Sequence, residues 1–166
     1  MNIIAAVSEN WGIGSDNDLI FHIPEDMKFF RQMTKGKTVI LGRKNLESFP
    51  GGKPLKGRRH LLLTNNPFYS AEGVEVYHSV QDVLAEAGQL APDDVWVIGG
   101  GMIYEQFLPY CDKAYITKVH AERPADVFFP DLDADPAWEL TERGEDVIME
   151  DLSYCFCTYT RVKNKG

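Results

Sequence analysis

Asp94-Val95-Trp96-Val97-Ile98-Gly99-Gly100-Gly101-Met102-Ile103-Tyr104-Glu105-Gln106-Phe107-Leu108 runs from an apolar segment of strand length, through three glycines, straight into a helix-like segment that Pro109 stops. The unbroken apolar run predicts a strand covered on both faces. Strand, glycines and helix in direct succession is an order that points backbone N–H groups at an anion, and glycine lets the backbone approach a ligand closely. A purely structural turn is the competing explanation. The stretch is not Gly-x-Gly-x-x-Gly, and that fingerprint would place its glycines after the first strand with an acid about twenty residues later. The chain offers neither, so the ordinary dinucleotide-binding signature is rejected.

Similar strands recur on either side. Residues 2–7 are apolar and predict a central strand; 38–41, 61–63 and 113–119 predict further strands, and 74–77 a short one. Pro24 opens one helix at its first position, a short helical stretch follows Gly42-Arg43-Lys44-Asn45, and Ser79 with Asp82 three residues on caps a third. In that third helix Val80, Val83, Leu84 and Ala87 keep helical spacing until Gly88. Residues 8–17 predict a long polar connection of the kind that acts as a lid, and residues 138–149 with 153–162 a terminal antiparallel pair. The expected fold is α/β: a single-domain, twisted, mainly parallel sheet with helices on both faces and an antiparallel C-terminal edge strand.

The 166 residues, 44% hydrophobic and 25% charged, suit one domain over 1–166 with a substantial core and exclude a disordered or fibrous chain. No apolar run approaches the roughly 20 residues of a membrane span, and the chain begins without a basic leader. Cys111, Cys155 and Cys157 are odd in number, without Cys-x-x-Cys or a nearby histidine pattern, and predict no disulfide framework and no metal. A soluble cytoplasmic protein, expected to be a monomer, fits these features. The net charge of −8 argues against general nucleic-acid or anionic-membrane binding, yet it hides segregation. Across 42–60 the bases Arg43, Lys44, Lys53, Lys56, Arg58 and Arg59 face only Glu47, whereas across 126–151 acids dominate and Arg143 is the only base. The basic stretch is either a solvated face or a local anion site.

One acid is set into a greasy helix. In Ile23-Pro24-Glu25-Asp26-Met27-Lys28-Phe29-Phe30-Arg31-Gln32-Met33-Thr34, helical steps put Asp26 on the face of Phe29, Phe30 and Met33, with Met27 joining Phe30 and Thr34. The acid is either a solvated first-turn residue favouring the helix dipole or a carboxylate with a shifted pKa in an apolar pocket. A second anion candidate, Arg43 with Lys44, follows the 38–41 strand, and open sheets bind ligands at the carboxyl ends of such strands. A dinucleotide between the two helix starts would set a 2′-phosphate against Arg43 with Thr64 and Asn65 alongside, which favours NADP over NAD.

With these pieces the chain resembles the dihydrofolate reductase family from Asn2 to Val162. The resemblance is carried by Ile4-Ala5-Ala6, Gly12-Ile13-Gly14 with Asn17, Ile23-Pro24-Glu25-Asp26-Met27 with Phe30, Gly42-Arg43, Pro54-Leu55-Lys56-Gly57-Arg58, Val97 through Phe107, Thr117, and Phe129-Pro130. It implies NADPH-dependent reduction of 7,8-dihydrofolate to tetrahydrofolate, with Asp26 holding the pterin and assisting its protonation, Thr117 supporting the acid, and Tyr104 near the nicotinamide. It assigns the substrate walls to Ile4, Ala6, Leu19, Met27, Phe30, Phe49, Leu55 and Ile98, and the glutamyl carboxylate to Arg58. Cofactor contacts fall on Ala6, Ile13, Gly14, Asn17, Leu19, Arg43, Lys44, Asn45, Thr64, Asn65, His78, Ile98, Gly99, Gly100, Gly101, Met102, Ile103 and Tyr104. Relative to the usual bacterial pattern, Phe21 stands where Trp is common, Asn45 where Thr is usual, Leu46 for an aromatic, His78 for a basic residue and Met102 for an Arg. Two rival readings are a related pterin or pyrimidine reductase, against which Asp26 with Arg58 argues, and a nucleotide-binding module, which would need no pocket carboxylate. Oxidation of NADPH on adding dihydrofolate separates them.

Overall fold

The computed structural model describes residues 1–15 and 18–162. Among them the strands are β1 (Asn2–Val7), β2 (Gly12–Ser15), β3 (Asp18–Leu19), β4 (Thr38–Gly42), β5 (Arg59–Leu63), β6 (Glu75–Tyr77), β7 (Val95–Gly99), β8 (Lys113–Val119), β9 (Val127–Phe128), β10 (Trp138–Arg143), β11 (Val147–Met149) and β12 (Leu152–Arg161). The α-helices are α1 (Pro24–Thr34), α2 (Arg43–Ser48), α3 (Val80–Ala87) and α4 (Gly101–Phe107).

Side-chain alternation along the strands sends their apolar residues to two opposite faces, which is why helices cover both. Ile3, Ile40, Leu61, Val95 and Val97 meet α3 and α4 through Val83, Ala87, Ile103, Tyr104 and Phe107. Their neighbours Ile4, Val39, Leu41, Leu62, Trp96 and Ile98 meet α1 and α2 through Phe29, Phe30, Met33 and Leu46. One nine-stranded sheet results, ordered β10-β12-β8-β1-β7-β4-β5-β6 with β11 paired to β12. The strands β8, β1, β7, β4, β5 and β6 run parallel, and β12 runs antiparallel between β8 and β10. The mainly parallel sheet with antiparallel C-terminal strands is the expected one, and β1 is central.

Two expectations change in detail. Within the expected 8–17 connection, the described residues 8–15 are not simply polar loop: β2 pairs with β3 and β9 in a separate small sheet, and Trp11 and Ile13 are buried. The physical reason is that apolar Trp11 and Ile13 flank Gly12, which lies so close to Ala125 that an added Cβ would stand 2.7 Å from that residue's Cβ. The 138–149 segment is broken into β10 and β11: Arg143 pairs with Cys157 and Val147 with Tyr154, so three residues, 144–146, stand opposite two of β12 and interrupt the ladder. Among the described residues no helix is long and apolar enough to cross a membrane.

Phe107 closes α4 onto the sheet and is fully buried. Truncating it to alanine removes a ring from a closely packed interior, so Phe107→Ala should lose about 3–5 kcal/mol of unfolding free energy in a urea titration. A loss under about 1 kcal/mol would show that α4 is not held by this side chain.

Candidate functional site

Helix α1 begins at Pro24, whose missing N–H would have had no helical partner, and the first helical bond is Met27 N–H to the Ile23 carbonyl at 3.0 Å. That start puts Asp26 in the first turn, facing the sheet. Its Oδ1 accepts a hydrogen bond from the Thr117 hydroxyl at 2.5 Å. Thr117 is itself buried on β8, directly beside Ala6 of β1 and Phe156 of β12. Burial pushes the Asp26 carboxyl above its ordinary value, and the Thr117 hydrogen bond offsets only part of that push. Of the two readings left open by the sequence, the carboxylate in an apolar wall is the one the structure adopts. Phe30 and Phe49 are half-buried in the cluster that includes Ile4 and Ile98, on the Asp26 side of the sheet. Leu19 and Met27 are 55% and 47% exposed.

Arg58 closes the other end of α1. Its Nε donates to Thr34 Oγ1 at 2.9 Å, Nη2 to the Arg31 carbonyl at 2.8 Å and Nη1 to the Lys56 carbonyl at 2.6 Å. Two of these contacts fall in the last turn of the helix, one on the Thr34 hydroxyl and one on the Arg31 carbonyl, which also accepts the Lys35 N–H at 3.0 Å. Thr34 is fully buried and donates onward to the Phe30 carbonyl at 2.8 Å, so it can only present a lone pair to Arg58. His60 completes the support. The Leu55 N–H donates to His60 Nε2 at 3.1 Å, which leaves Nδ1–H to donate to the Arg58 carbonyl at 3.1 Å. Burial pulls the His60 pKa below its ordinary value, consistent with that neutral ring. Arg58 thus keeps two free N–H donors on a fixed guanidinium, beside a groove of about 550 Å³ also lined by Lys28, Arg31, Lys35 and Lys56.

The cofactor candidates gather for a topological reason. Parallel pairing aligns Gly42 with Leu63 and Leu63 with Tyr77, so the residues that follow β4, β5 and β6 emerge side by side. These are Arg43, Lys44 and Asn45, then Thr64 and Asn65, then His78. His78 Nδ1 lies 3.0 Å from the Thr64 carbonyl, binding two of those turns together. Arg43 lies over the Tyr69 ring and donates to Glu47 at 2.8 Å, an exposed pair that solvent screens. Asn45 Nδ2 reaches the Ile98 carbonyl at 3.5 Å, while its buried Oδ1 has no hydrogen-bond partner.

On β7, Gly99 has φ +115, a backbone state that side-chain-bearing residues rarely adopt, and the Tyr104 ring would stand only 3.0 Å from an added Cβ. The Tyr104 hydroxyl is fully enclosed, 2.7 Å from the Ile4 carbonyl and 2.9 Å from the Ile98 carbonyl. Burial, with Asp26 nearby, raises its pKa and keeps it protonated. Its ring packs on Phe129 at 4.9 Å. An added Cβ on Gly101 would strike Val127 of β9, whereas one on Gly100 would meet nothing within 4 Å. The small sheet therefore presses on one glycine and leaves its neighbour open. Gly14 pairs with Leu19 and Val127 in that sheet, and Ile13 beside it is buried. Ile103 is packed beneath Gly42 in the core, and Met102 is 72% exposed. Asn17 lies outside the described residues.

Sequence reasoning overlooked Thr34 and His60, which hold Arg58, and the cations Lys28, Arg31 and Lys35. The latter recur at 28, 31 and 35, a helical stripe that was legible. His60 carried no such signal, since its role depends on a turn that folds residue 55 back onto it.

The raised Asp26 pKa sets a sign for stability. Between the unfolded and folded values the folded chain binds more protons, so stability falls as pH rises through that window and stays lower above it. Asp26→Asn keeps an oxygen for Thr117 and removes the buried charge. The variant should melt higher than wild type at about pH 8, with the gap closing toward about pH 4 in thermal unfolding. A variant melting at or below wild type near neutrality would contradict a desolvated carboxylate.

A sequence model of dihydrofolate reductase matches residues 1–161. Dihydrofolate reductase of Bacillus subtilis is 36% identical over 163 residues, 97% of this chain and 94% of that protein. The enzyme of Neisseria meningitidis serogroup A is 39% identical over 162 residues, covering 97% and 98%. Among solved structures, dihydrofolate reductase from Enterococcus faecalis complexed with NADP(H) and RAB-propyl superposes with a TM-score of 0.86 at 36% identity, covering 98% of this chain and 96% of that one. Matched over nearly its whole length by that sequence model and by these relatives, the chain belongs to the dihydrofolate reductase family.

Proposed function

We propose that this chain reduces 7,8-dihydrofolate to 5,6,7,8-tetrahydrofolate with NADPH, and that Asp26 both anchors the pterin and assists its protonation. The observation that carries the reading is the Thr117–Asp26 hydrogen bond in an apolar wall that also bears the exposed Leu19 and Met27. A carboxylate there can accept two N–H groups from a flat heterocycle, and its raised pKa keeps a proton available closer to neutrality. Thr117 fixes the carboxylate's orientation. Because the Tyr104 hydroxyl proton is committed to backbone carbonyls, Tyr104 shapes the site floor and positions the Gly99 turn.

The cofactor residues fit a dinucleotide phosphate. The unpartnered Asn45 Oδ1 and the open side of Gly100 provide an acceptor and a close backbone approach, and the residues after β4, β5 and β6 provide Arg43, Lys44, Thr64, Asn65 and His78 for phosphates. When bound, NADPH supplies the hydride. Arg43 next to Thr64 favours a 2′-phosphate over a free hydroxyl. Ile13, Gly14, Leu19 and Met102 rim the same opening. The walls are Ile4, Ala6, Phe30, Phe49, Leu55 and Ile98, and Arg58 takes the glutamyl carboxylate with its two remaining N–H groups. The reading includes one catalytic domain over 1–166, monomeric and cytoplasmic, in keeping with three cysteines that form no disulfide.

Steady-state NADPH oxidation with dihydrofolate, and with a dihydropterin lacking the glutamyl tail, tests the assignment. Wild type should turn over both. Arg58→Lys should raise the KM for dihydrofolate by roughly tenfold or more and leave the tail-less substrate nearly unchanged, because an ammonium cannot reproduce the planar fork. Equal losses for both substrates would remove Arg58 from tail recognition, and absence of oxidation by wild type would overturn the function.

A further inference from the structure

On the face of β12 turned away from the folate site, three side chains converge that the reaction does not use. We infer that His120, Asp146 and Cys155 bind one thiophilic divalent cation of the zinc class. His120 follows β8, Asp146 lies in the turn between β10 and β11, and Cys155 is on β12. Their ligand atoms all lie within 4.8 Å of one another, with His120 Nε2 2.8 Å from Asp146 Oδ1. A tetrahedral zinc site with bonds of about 2.0–2.3 Å has donor–donor edges of roughly 3.3–3.8 Å, so the histidine–carboxylate pair opens by about half an ångström and the sulfur moves in. Cys157 Sγ stands 3.6 Å from Cys155 Sγ, beside the site but outside the ligand set. A thiolate and an imidazole select a soft or borderline ion over Mg2+ or Ca2+, which take oxygen ligands.

The charges agree with a dication. Asp146 and a Cys155 thiolate contribute two negative charges and His120 a neutral imidazole. Of the nearby cations, Arg143 donates to Asp146 Oδ1 at 3.0 Å and can remain on that carboxylate, while Lys118 is turned onto Asp133 at 2.5 Å and over the Trp11 ring. Binding breaks the Cys155 S–H bond and forms a sulfur–metal bond; the proton leaves to solvent and no group is oxidised or reduced. Water fills the fourth corner. The ion would join the end of β8, the β10–β11 turn and β12, the segments that form the antiparallel side of the sheet. Sequence spacing concealed the site because its ligands come from three separated segments, not from a Cys-x-x-Cys run.

The metal-free full chain should be titrated with Cd2+ by ultraviolet absorption and with Zn2+ by calorimetry. One equivalent should bind with a thiolate-to-metal charge-transfer band and release of one proton. Cys155→Ser should abolish the band. His120→Gln, at a half-exposed position that leaves the core intact, should weaken binding by roughly tenfold or more. Absence of the band in folded wild type, or His120→Gln binding as wild type does, would overturn the site whatever the folding of Cys155→Ser. A band that persists in Cys155→Ser would also overturn it.

Discussion

A carboxylate set into an apolar wall must be given a hydrogen-bond donor, and in this chain that requirement ties helix α1 to strand β8. The donor is Thr117, and it can serve because β8 lies beside the central strand β1 and turns Thr117 toward α1 while Ile116 faces the opposite core. The bond offsets only part of the desolvation, so the folded chain retains an acid that would be more comfortable in water. Such a residue is a stability cost, and perturbed carboxylates concentrate where proton transfer is needed. The two ends of α1 divide the labour: its first turn presents the acid, and its last turn is closed by Arg58, 32 positions further along the chain from Asp26 but fixed through Thr34 and His60.

Parallel pairing supplies the rest. Because β1, β4, β5, β6, β7 and β8 all point the same way, their carboxyl ends share one edge, and the turns that leave them carry the basic and amide residues. The charge is segregated along the chain: Arg43 and Lys44 follow β4 at that edge, Lys53, Lys56, Arg58 and Arg59 precede or open β5 at its amino end, and the acids of 126–151 belong mainly to the segments around β10 and β11. In the small sheet of β2, β3 and β9, Gly14 pairs with Leu19 and Val127, and Val127 lies against Gly101.

Much of this was legible in the residues themselves. Continuous apolar runs at 2–7, 38–41 and 95–98 announce strands buried on both faces, and Pro24 and Ser79 announce helix starts that the structure reproduces. Asp26 and the glycine triplet stood out because each breaks the local pattern. What remained hidden depends on contacts distant in sequence. A two-residue strand such as β9 has no periodicity of its own and exists only because β2 pairs with it. The break between β10 and β11 comes from one extra residue in 144–146 opposite β12, which only the pairing register reveals. Thr34 and His60 look like ordinary residues until Arg58 folds over them.

The central claim is that the desolvated Asp26 carboxyl takes part in the proton delivery that accompanies hydride transfer. Single-turnover hydride transfer measured from about pH 5 to about pH 9 in wild type and Asp26→Asn tests it most directly. The account predicts a wild-type rate that falls as pH rises and a variant slower by roughly 10² to 10⁴-fold, with dihydrofolate affinity reduced far less. Near-equal rates in the two proteins would contradict it.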